Sequence, residues 1–254
     1  MNVLSLFDGI SCGRLALERA KVPIDWYYAS ETNRHFISIS SRHYPNSVNL
    51  GDVDRINLKL LPQIDLITGD IVVRHIPLFF EFYYILEKLR ELNPNIKFLF
   101  SISQPVSDGI KLITRYLKVE PVVISTNLAY NSLVNVYWAN WTIHKPQIDA
   151  VHIADICEEN VAKKYYLNGQ ENVFNNIVEV RPCDDVSFLT KGHMLLGSDG
   201  SLRAFTPLEY ERLRKMPDGY TEGIPDKYRY MAVGGGWDID ILANIFSQMP
   251  TGDK

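Results

Sequence analysis

Residues 2–13 read NVLSLFDGISCG, and this stretch decides the fold. The apolar run Asn2–Leu6 predicts a short strand, and the glycines Gly9 and Gly13 predict a turn directly after it. Apolar residues between positions 15 and 20 then recur with the spacing of a helix. The sequence therefore predicts a strand, a glycine turn and a helix, in that order.

The same alternation continues along the first half of the chain. Strands that alternate with helices form a parallel sheet with crossover helices. We therefore predict an α/β fold with a mixed, mostly parallel sheet flanked by helices. The pattern predicts further strands at 26–30, around 49–53, and at 64–69, 97–102, 121–127 and 135–141, and helices up to about residue 43 and at 78–92 and 110–117.

The alternation is lost between residues 144 and 227, where turn residues are frequent. One helix is well marked there, because Thr206 is a hydroxyl cap, Pro207 follows it and Glu209 lies three residues on. A last helix is predicted over 237–248. We predict a large domain formed by residues 1–143 and 228–254, and a small domain formed by residues 144–227.

Composition excludes several classes of protein. A chain of 254 residues that is 46% hydrophobic and 22% charged can bury a substantial core, so disorder, collagen and coiled coil are excluded. Charged residues interrupt every apolar run before about 18 residues, and a signal sequence is not apparent, so we expect an intracellular protein that does not enter a membrane. A net charge of −4 gives no general attraction to nucleic acid.

Cysteine and histidine spacing indicates no metal site. Cys12, Cys157 and Cys183 form no CxxC pair, and the six histidines form no HxxxH pattern. The three cysteines are therefore interpreted as ordinary thiols.

Polar residues that end the first three strands point to a nucleoside cofactor. The glycine turn allows the backbone to approach a ligand. Glu31 ends the second strand, where a carboxylate accepts hydrogen bonds from ribose hydroxyls, and Asp52 ends the third, where it can meet the amino group of an adenine. Phe7 and Trp237 are aromatic residues that can enclose the ring.

These motifs resemble, in order, those of the DNA cytosine-5 methyltransferases, and most closely the branch of the vertebrate de novo enzymes. The similar segments are LSLFDGI at 4–10 with Gly13, ASE at 29–31, GDV at 51–53, FTPLE at 205–209 with the residues to 220, and RY at 229–230 with GGGW at 234–237. The resemblance implies a Rossmann-like methyltransferase fold, a reduced target-recognition-like domain, and S-adenosylmethionine or S-adenosylhomocysteine as cofactor. It places the cofactor on Phe7, Asp8, Gly9, Ile10, Gly13, Glu31, Thr32, Asp52, Val53, Gly69, Trp237 and Asp238.

The catalytic motifs of that family do not carry over. The family attacks carbon 6 of cytosine with a cysteine thiolate, and Val73 stands at the corresponding position. Its Glu-Asn-Val triplet is replaced by Ser101-Ile102-Ser103, and its arginine-bearing strand by Asn131, Leu133 and Asn135. The last cofactor motif also departs, with Gly235 and Asp238. We therefore predict no catalytic residue and a protein that is not an enzyme.

The favoured function is a regulatory or structural partner. In the branch that this sequence resembles, an inactive paralogue pairs with the active enzymes. The resemblance therefore implies that the partner is an active DNA methyltransferase or a second copy of this chain. The aromatic-rich segment 78–83 is a candidate interface, and burial against the sheet explains it equally well.

Two other functions stay open. The first is a protein that binds DNA weakly, or acts as a decoy, through its small domain without chemistry. The second is an enzyme turned to another S-adenosylmethionine-dependent or hydrolytic reaction, with Asp70, Arg74 and His75 near its site.

Overall fold

The computed structural model describes residues 1–72, 76–103, 107–128, 131–147, 155–166, 194–196, 202–234 and 237–250. The chain forms two compact units, which we call unit 1 (Met1–Asp149 with Ile239–Lys254) and unit 2 (Ala150–Asp238). The predicted large domain took in residues 228–238, whereas these residues belong to unit 2. The assignment of unit 2 to target recognition stays a prediction.

A seven-stranded sheet forms the centre of unit 1. Its strands are β1 Asn2–Leu6, β2 Trp26–Ser30, β3 Val48–Asn49, β4 Leu66–Val72, β5 Lys97–Ser103, β6 Val122–Leu128 and β7 Asn131–Ala139. They lie in the order β3-β2-β1-β4-β5-β7-β6, with β1 to β5 parallel and β7 antiparallel to both of its neighbours. The predicted mixed, mostly parallel sheet is confirmed.

Helices pack on both faces of this sheet, as the predicted α/β fold requires. Within the described ranges the α-helices are α1 Cys12–Arg19, α2 Arg34–His43, α3 Ile76–Leu92, α4 Ser107–Leu117, α5 Pro207–Leu213, α6 Asp226–Gly234 and α7 Ile239–Ser247. Helices α5 and α6 belong to unit 2, and the others belong to unit 1. The last helix begins at Ile239, two residues later than predicted, and α6 was not predicted at all.

The main apolar core lies between the sheet and helices α3 and α4. Leu4, Phe100 and Trp138 are fully buried on this face of the sheet, and Phe82 of α3 packs over them. The segment 78–83 therefore contributes mainly to this core, although Phe80 within it and Tyr84 directly after it are exposed.

Strand β4 is longer than the sequence predicted. The turn-forming residues at 68–70 indicated an end at Gly69, but the strand continues to Val72 because β5 supplies hydrogen-bonding partners as far as Ser103. Strand β1 has its last partner at Gly69, so β4 and β5 project beyond the end of β1.

The residues of unit 2 that the structure describes form a short antiparallel hairpin and two α-helices. Its strands are β8 Met194–Leu196 and β9 Leu202–Ala204. The predicted capping box of α5 is confirmed, since Thr206 Oγ1 accepts from the Glu209 amide at 3.2 Å and the Thr206 amide donates to Glu209 Oε2 at 2.8 Å. Among the described residues of the whole chain, we find no helix with the length and apolarity to cross a membrane.

Candidate functional site

The candidate site begins at the turn that follows β1. The strand order reverses at β1, because the chain runs from β1 to β2 and β3 on one side and then continues with β4 and β5 on the other. Ligands of open α/β sheets bind at the carboxyl end of such a position. The turn has an unusual backbone: φ is +57° at Phe7, +61° at Gly9 and +61° at Ser11. Three left-handed residues within five positions place this turn in a tightly determined conformation.

Glu31 at the end of β2 binds this turn directly. Its Oε2 accepts from the Gly9 amide at 2.9 Å, and its Oε1 accepts from the amides of Thr32 at 2.8 Å and Asn33 at 2.7 Å. Burial raises the pKa of Glu31, and these amide bonds oppose that increase. Because a carboxylate has about four acceptor positions, Glu31 retains room for one further donor such as a ribose hydroxyl.

The segment after β3 joins the same edge of the sheet. Asn49 Oδ1 accepts from the amides of Glu31 and Gly51, each at 3.3 Å, and Ser30 Oγ donates to the Gly51 carbonyl at 2.8 Å. Asp52 follows and caps a short 3-10 helix, Val53–Arg55, by accepting from the Asp54 amide at 3.3 Å. The structure thus brings Gly9, Glu31 and Asp52 to one edge, as the strand order predicts.

The residues at this edge fit a nucleoside cofactor. Gly9 and Gly51 both have positive φ, and a Cβ at either position would meet no described atom within 4 Å, so space lies open beside both. Phe7, Leu50 and Val53 are partly buried against the core and supply apolar surface next to the carboxylates. Carboxylate acceptors beside apolar surface and open backbone are the groups that ribose and a purine ring require.

Several residues that were predicted to bind the cofactor are buried in the protein. Asp8 is 8% exposed, and its carboxylate accepts from Tyr27 and Ser11. Ile10 and Gly13 are buried, and a Cβ on Gly69 would lie 3.0 Å from the Phe82 ring, so Gly69 packs closely against that side chain. Their contribution to cofactor binding through the backbone stays a prediction. Thr32 is exposed, and its amide is bound to Glu31.

The remaining predicted positions lie elsewhere. Trp237 and Asp238 are buried in unit 2, so their place in the cofactor site stays a prediction. Val73, Arg74, His75 and Gly235 lie outside the described residues.

Sequence reasoning missed the residues that support the turn from inside. Tyr27 and Arg14 are the main ones, together with Asn49 on the outer side. Their residue types gave no signal, because a tyrosine in a strand and an arginine in a helix are common in any core or surface. Their support of the turn becomes visible only from their contacts, because Tyr27 binds Asp8, Arg14 lies against Tyr44, and Asn49 binds the backbone of Glu31.

At the ends of β4 and β5 the structure places a polar pair. Ser101 is fully buried and donates its hydroxyl to the carboxylate of Asp70. Of the cysteines, Cys12 is 4% exposed at the start of α1, and burial raises the pKa of the Cys157 thiol in unit 2. Cys183 lies outside the described residues.

Comparisons with known proteins agree with the resemblance to DNA cytosine-5 methyltransferases that the sequence motifs indicated. Residues 1–70 match the model of a family described as C-5 cytosine-specific DNA methylase. Over 63 residues the chain is 36% identical to the type II methyltransferase M.Sau3AI of Staphylococcus aureus. That match covers 25% of this chain and 15% of the relative, so it spans only a small part of the relative's length.

Solved structures match the fold over nearly the whole chain. Dnmt2 methyltransferase of S. pombe has a TM-score of 0.75 at 18% identity, with 97% of each chain covered. The methyltransferase EhMeth of Entamoeba histolytica has a TM-score of 0.70 at 14% identity, with 96% of each chain covered. A putative prophage-encoded DNA modification methyltransferase from E. coli has a TM-score of 0.68 at 15% identity, with 98% of each chain covered.

These comparisons correct one prediction. The absence of the family's catalytic residues led us to expect a protein that is not an enzyme, and the comparisons contradict it: the matched family is a methylase and the similar proteins are methyltransferases. The family and its fold use S-adenosylmethionine as methyl donor, which agrees with the predicted cofactor. Over its first 70 residues the chain is similar to the C-5 cytosine-specific DNA methylase family, and over nearly its whole length it has the fold of these solved methyltransferases.

Proposed function

We propose that unit 1 binds S-adenosylmethionine and that the protein acts in the cytosine-5 methylation of DNA. The observation that carries the proposal is the position of Glu31, whose carboxylate joins the end of β2 to the left-handed turn after β1 and keeps one acceptor position for a ligand. The family match over residues 1–70 covers the same elements.

Each group at this edge has a defined task in the proposed complex. Glu31 accepts from ribose hydroxyls, and Asp52 accepts from the amino group of the adenine. Phe7 and Val53 provide the apolar surface for the ring, while Gly9 leaves space for the ligand beside the backbone. When bound, S-adenosylmethionine supplies an electrophilic methyl group.

Calorimetric titration with S-adenosylhomocysteine tests the cofactor site. We expect Glu31→Ala to weaken binding by roughly 1–3 kcal/mol, because buried donors lose a charged partner. Glu91→Ala is the matched control, since Glu91 is an exposed glutamate that pairs with Lys88 on the surface of α3. Equal affinities of the Glu31→Ala and Glu91→Ala variants would remove the proposed role of Glu31.

A transfer assay tests the reaction. Methyl transfer to carbon 5 requires a nucleophile on carbon 6 of the ring. Wild-type protein is incubated with tritiated S-adenosylmethionine and duplex DNA of mixed sequence, and the Cys12→Ser, Cys157→Ser and Cys183→Ser variants are assayed in parallel. We expect transfer above background by the wild type, and its loss in one variant would identify the thiol used. Background counts with the wild-type chain alone would contradict the assignment of the reaction to this chain.

A second candidate role is that of a partner of an active methyltransferase. Its specific support is an exposed aromatic group on α3 and α4, formed by Phe80, Tyr84 and Tyr116, which are 39%, 60% and 38% exposed. The Phe80 and Tyr116 rings pack edge to face at 5.3 Å, so the group presents a continuous apolar surface.

Co-purification with an active DNA methyltransferase of the host tests this role. We expect Tyr84→Arg to abolish co-purification and stimulation of the partner, because a charge enters the apolar surface. Leu60→Arg is the control, since Leu60 is 80% exposed at a different place on unit 1. Unchanged co-purification of the Tyr84→Arg variant would exclude this surface.

A further inference from the structure

A second carboxylate lies behind the cofactor turn. Asp8 occupies the position between the left-handed residues Phe7 and Gly9, and its side chain points inward. Its Oδ1 accepts from the Tyr27 hydroxyl at 2.7 Å and its Oδ2 accepts from the Ser11 hydroxyl at 2.6 Å. Its amide donates to the Ser30 carbonyl at 3.0 Å. The turn is therefore attached to β2 through Tyr27 and to the start of α1 through Ser11.

The Tyr27 ring is itself held in place. Tyr27 is 1% exposed, and the guanidinium of Arg14 lies 5.5 Å from its ring centroid. The same guanidinium lies 4.6 Å from the centroid of Tyr44 and donates to Ser47 Oγ at 2.5 Å. Arg14 is itself held by Tyr44 and Ser47, so it restrains the Tyr27 ring. The Tyr27 hydroxyl therefore has little freedom to leave Asp8.

We propose that Tyr27 and Asp8 are a positioning pair that holds the turn in the conformation that binds the cofactor. The inference rests on the proposed function, because it concerns the affinity of that site. Neither residue is expected to touch the cofactor. Glu31 binds the turn on the ligand side through Gly9, and the pair binds it from the interior.

The backbone of the turn explains why such a pair is needed. A left-handed conformation costs a residue with a Cβ about 1–2 kcal/mol, and Phe7 and Ser11 both adopt it. This strain persists only where surrounding contacts fix the backbone. If the Tyr27 hydroxyl is removed, the turn loses its attachment to the middle of β2 while Glu31 remains in place. We therefore expect the turn to visit other conformations and to bind the cofactor less tightly.

The pair also predicts a shift in the pH dependence of binding. Burial raises the pKa of Asp8, while hydrogen bonds from Ser11 and Tyr27 and the charge of Arg14 lower it. Loss of the Tyr27 hydroxyl removes one group that favours the charged carboxylate, so the pKa of Asp8 rises further. The charge of Asp8 in turn helps to raise the pKa of Glu31, the nearby carboxylate. Above the pKa of Asp8 the charged carboxylate misses the Tyr27 donor most, so the affinity difference between wild type and Tyr27→Phe is expected to be largest at neutral pH and to shrink as the pH falls through the pKa of Asp8.

The decisive experiment compares two variants on adjacent residues of β2. Tyr27→Phe removes the hydroxyl and keeps the ring, and Tyr28→Phe makes the same change on the opposite face, where Tyr28 packs against the α3 core. Titration with S-adenosylhomocysteine is expected to give about 3- to 10-fold weaker binding for Tyr27→Phe at neutral pH. The affinity difference between Tyr27→Phe and the wild type should shrink as the pH falls, and Tyr28→Phe should match the wild type at every pH.

Hydrogen exchange without cofactor gives an independent result. We expect faster amide exchange at residues 7–11 in Tyr27→Phe and unchanged exchange in β5. Wild-type affinity and wild-type exchange in this variant overturn the proposal, as does a uniform increase that includes β5, which indicates general destabilisation. Failure of the wild-type chain to bind S-adenosylhomocysteine overturns the proposed function, and the exchange at residues 7–11 then decides whether the pair holds the turn.

Discussion

Two glycines in the cofactor motifs have different physical reasons for being glycine. Gly9 has φ +61° and open space beside it, so only its backbone conformation excludes a side chain. Gly69 has no positive φ, but a Cβ there would lie 3.0 Å from the Phe82 ring. The motif position alone does not separate a turn glycine from a packing glycine. The distinction predicts different effects of the same substitution.

Gly69→Ala is expected to destabilise unit 1 by about 1–3 kcal/mol, because the methyl group overpacks the core between β4 and α3. Gly9→Ala is expected to cost about 1–2 kcal/mol through its backbone and also to weaken cofactor binding. Urea unfolding and calorimetry of both variants check these expectations. A Gly69→Ala protein as stable as the wild type would show that Phe82 moves aside without cost.

At the scale of elements, helix α5 is joined to the hairpin of unit 2 by a buried ion pair. Arg203 of β9 donates to both carboxylate oxygens of Glu209, at 2.7 and 2.6 Å, and Glu209 is fully buried. The same carboxylate completes the capping box of α5 and accepts from the Glu158 amide at 2.9 Å. One side chain therefore fixes a helix start, a strand and a loop.

Glu209→Leu is expected to destabilise unit 2 by about 3–5 kcal/mol, because Arg203 is left as a buried charge without its carboxylate. The double variant Arg203→Met with Glu209→Leu should recover much of that loss, since no charge then remains buried. Thermal unfolding of the single and double variants measures the coupling. Additive losses in the double variant would contradict the assignment of the cost to an unpaired charge.

In the molecule as a whole, the carboxyls with shifted pKa values differ in direction between the two units. In unit 1 burial raises the pKa of Asp8 and Glu31. In unit 2 the hydrogen bond from Arg212 lowers the pKa of Asp218; burial works to raise that of Asp226, but hydrogen bonds from Lys164 and Tyr165 lower it overall. A raised pKa means that the folded state binds the proton more tightly than the unfolded state, and a lowered pKa means the reverse.

The sign of each contribution follows. The two carboxyls of unit 1 favour the folded state most at low pH, and this contribution is lost as pH rises through their folded pKa values. The two of unit 2 favour the folded state above their ordinary pKa of 3.8, and this contribution is lost as pH falls through the folded values. Hydrogen exchange of both units from about pH 6 to about pH 3 should show that Asp8→Asn makes unit 1 less acid-tolerant and Asp226→Asn makes unit 2 less pH-dependent. Identical pH profiles of wild type and variants would contradict the assignment.

Local patterns in the sequence predicted the order of the strands and helices of unit 1, and they named the residues that we propose for the cofactor site. Alternating strands and helices predicted the parallel sheet because local periodicity records which face is buried, and the ends of β1, β2 and β3 placed Gly9, Glu31 and Asp52 correctly at one edge. The capping box of α5 was predicted for the same reason, since both of its partners lie within four residues.

The direction of individual side chains and the ends of several elements depend on the folded structure. Asp8 and Glu31 are both carboxylates in cofactor motifs, yet Asp8 binds Tyr27 inside the protein and Glu31 faces the site. Strand β4 continues past Gly69 because β5 lies beside it, and α6 was missed because its pattern is weak without its neighbours. These features depend on residues far apart in the chain, whose contacts and hydrogen bonds exist only after folding and leave no local pattern in the sequence.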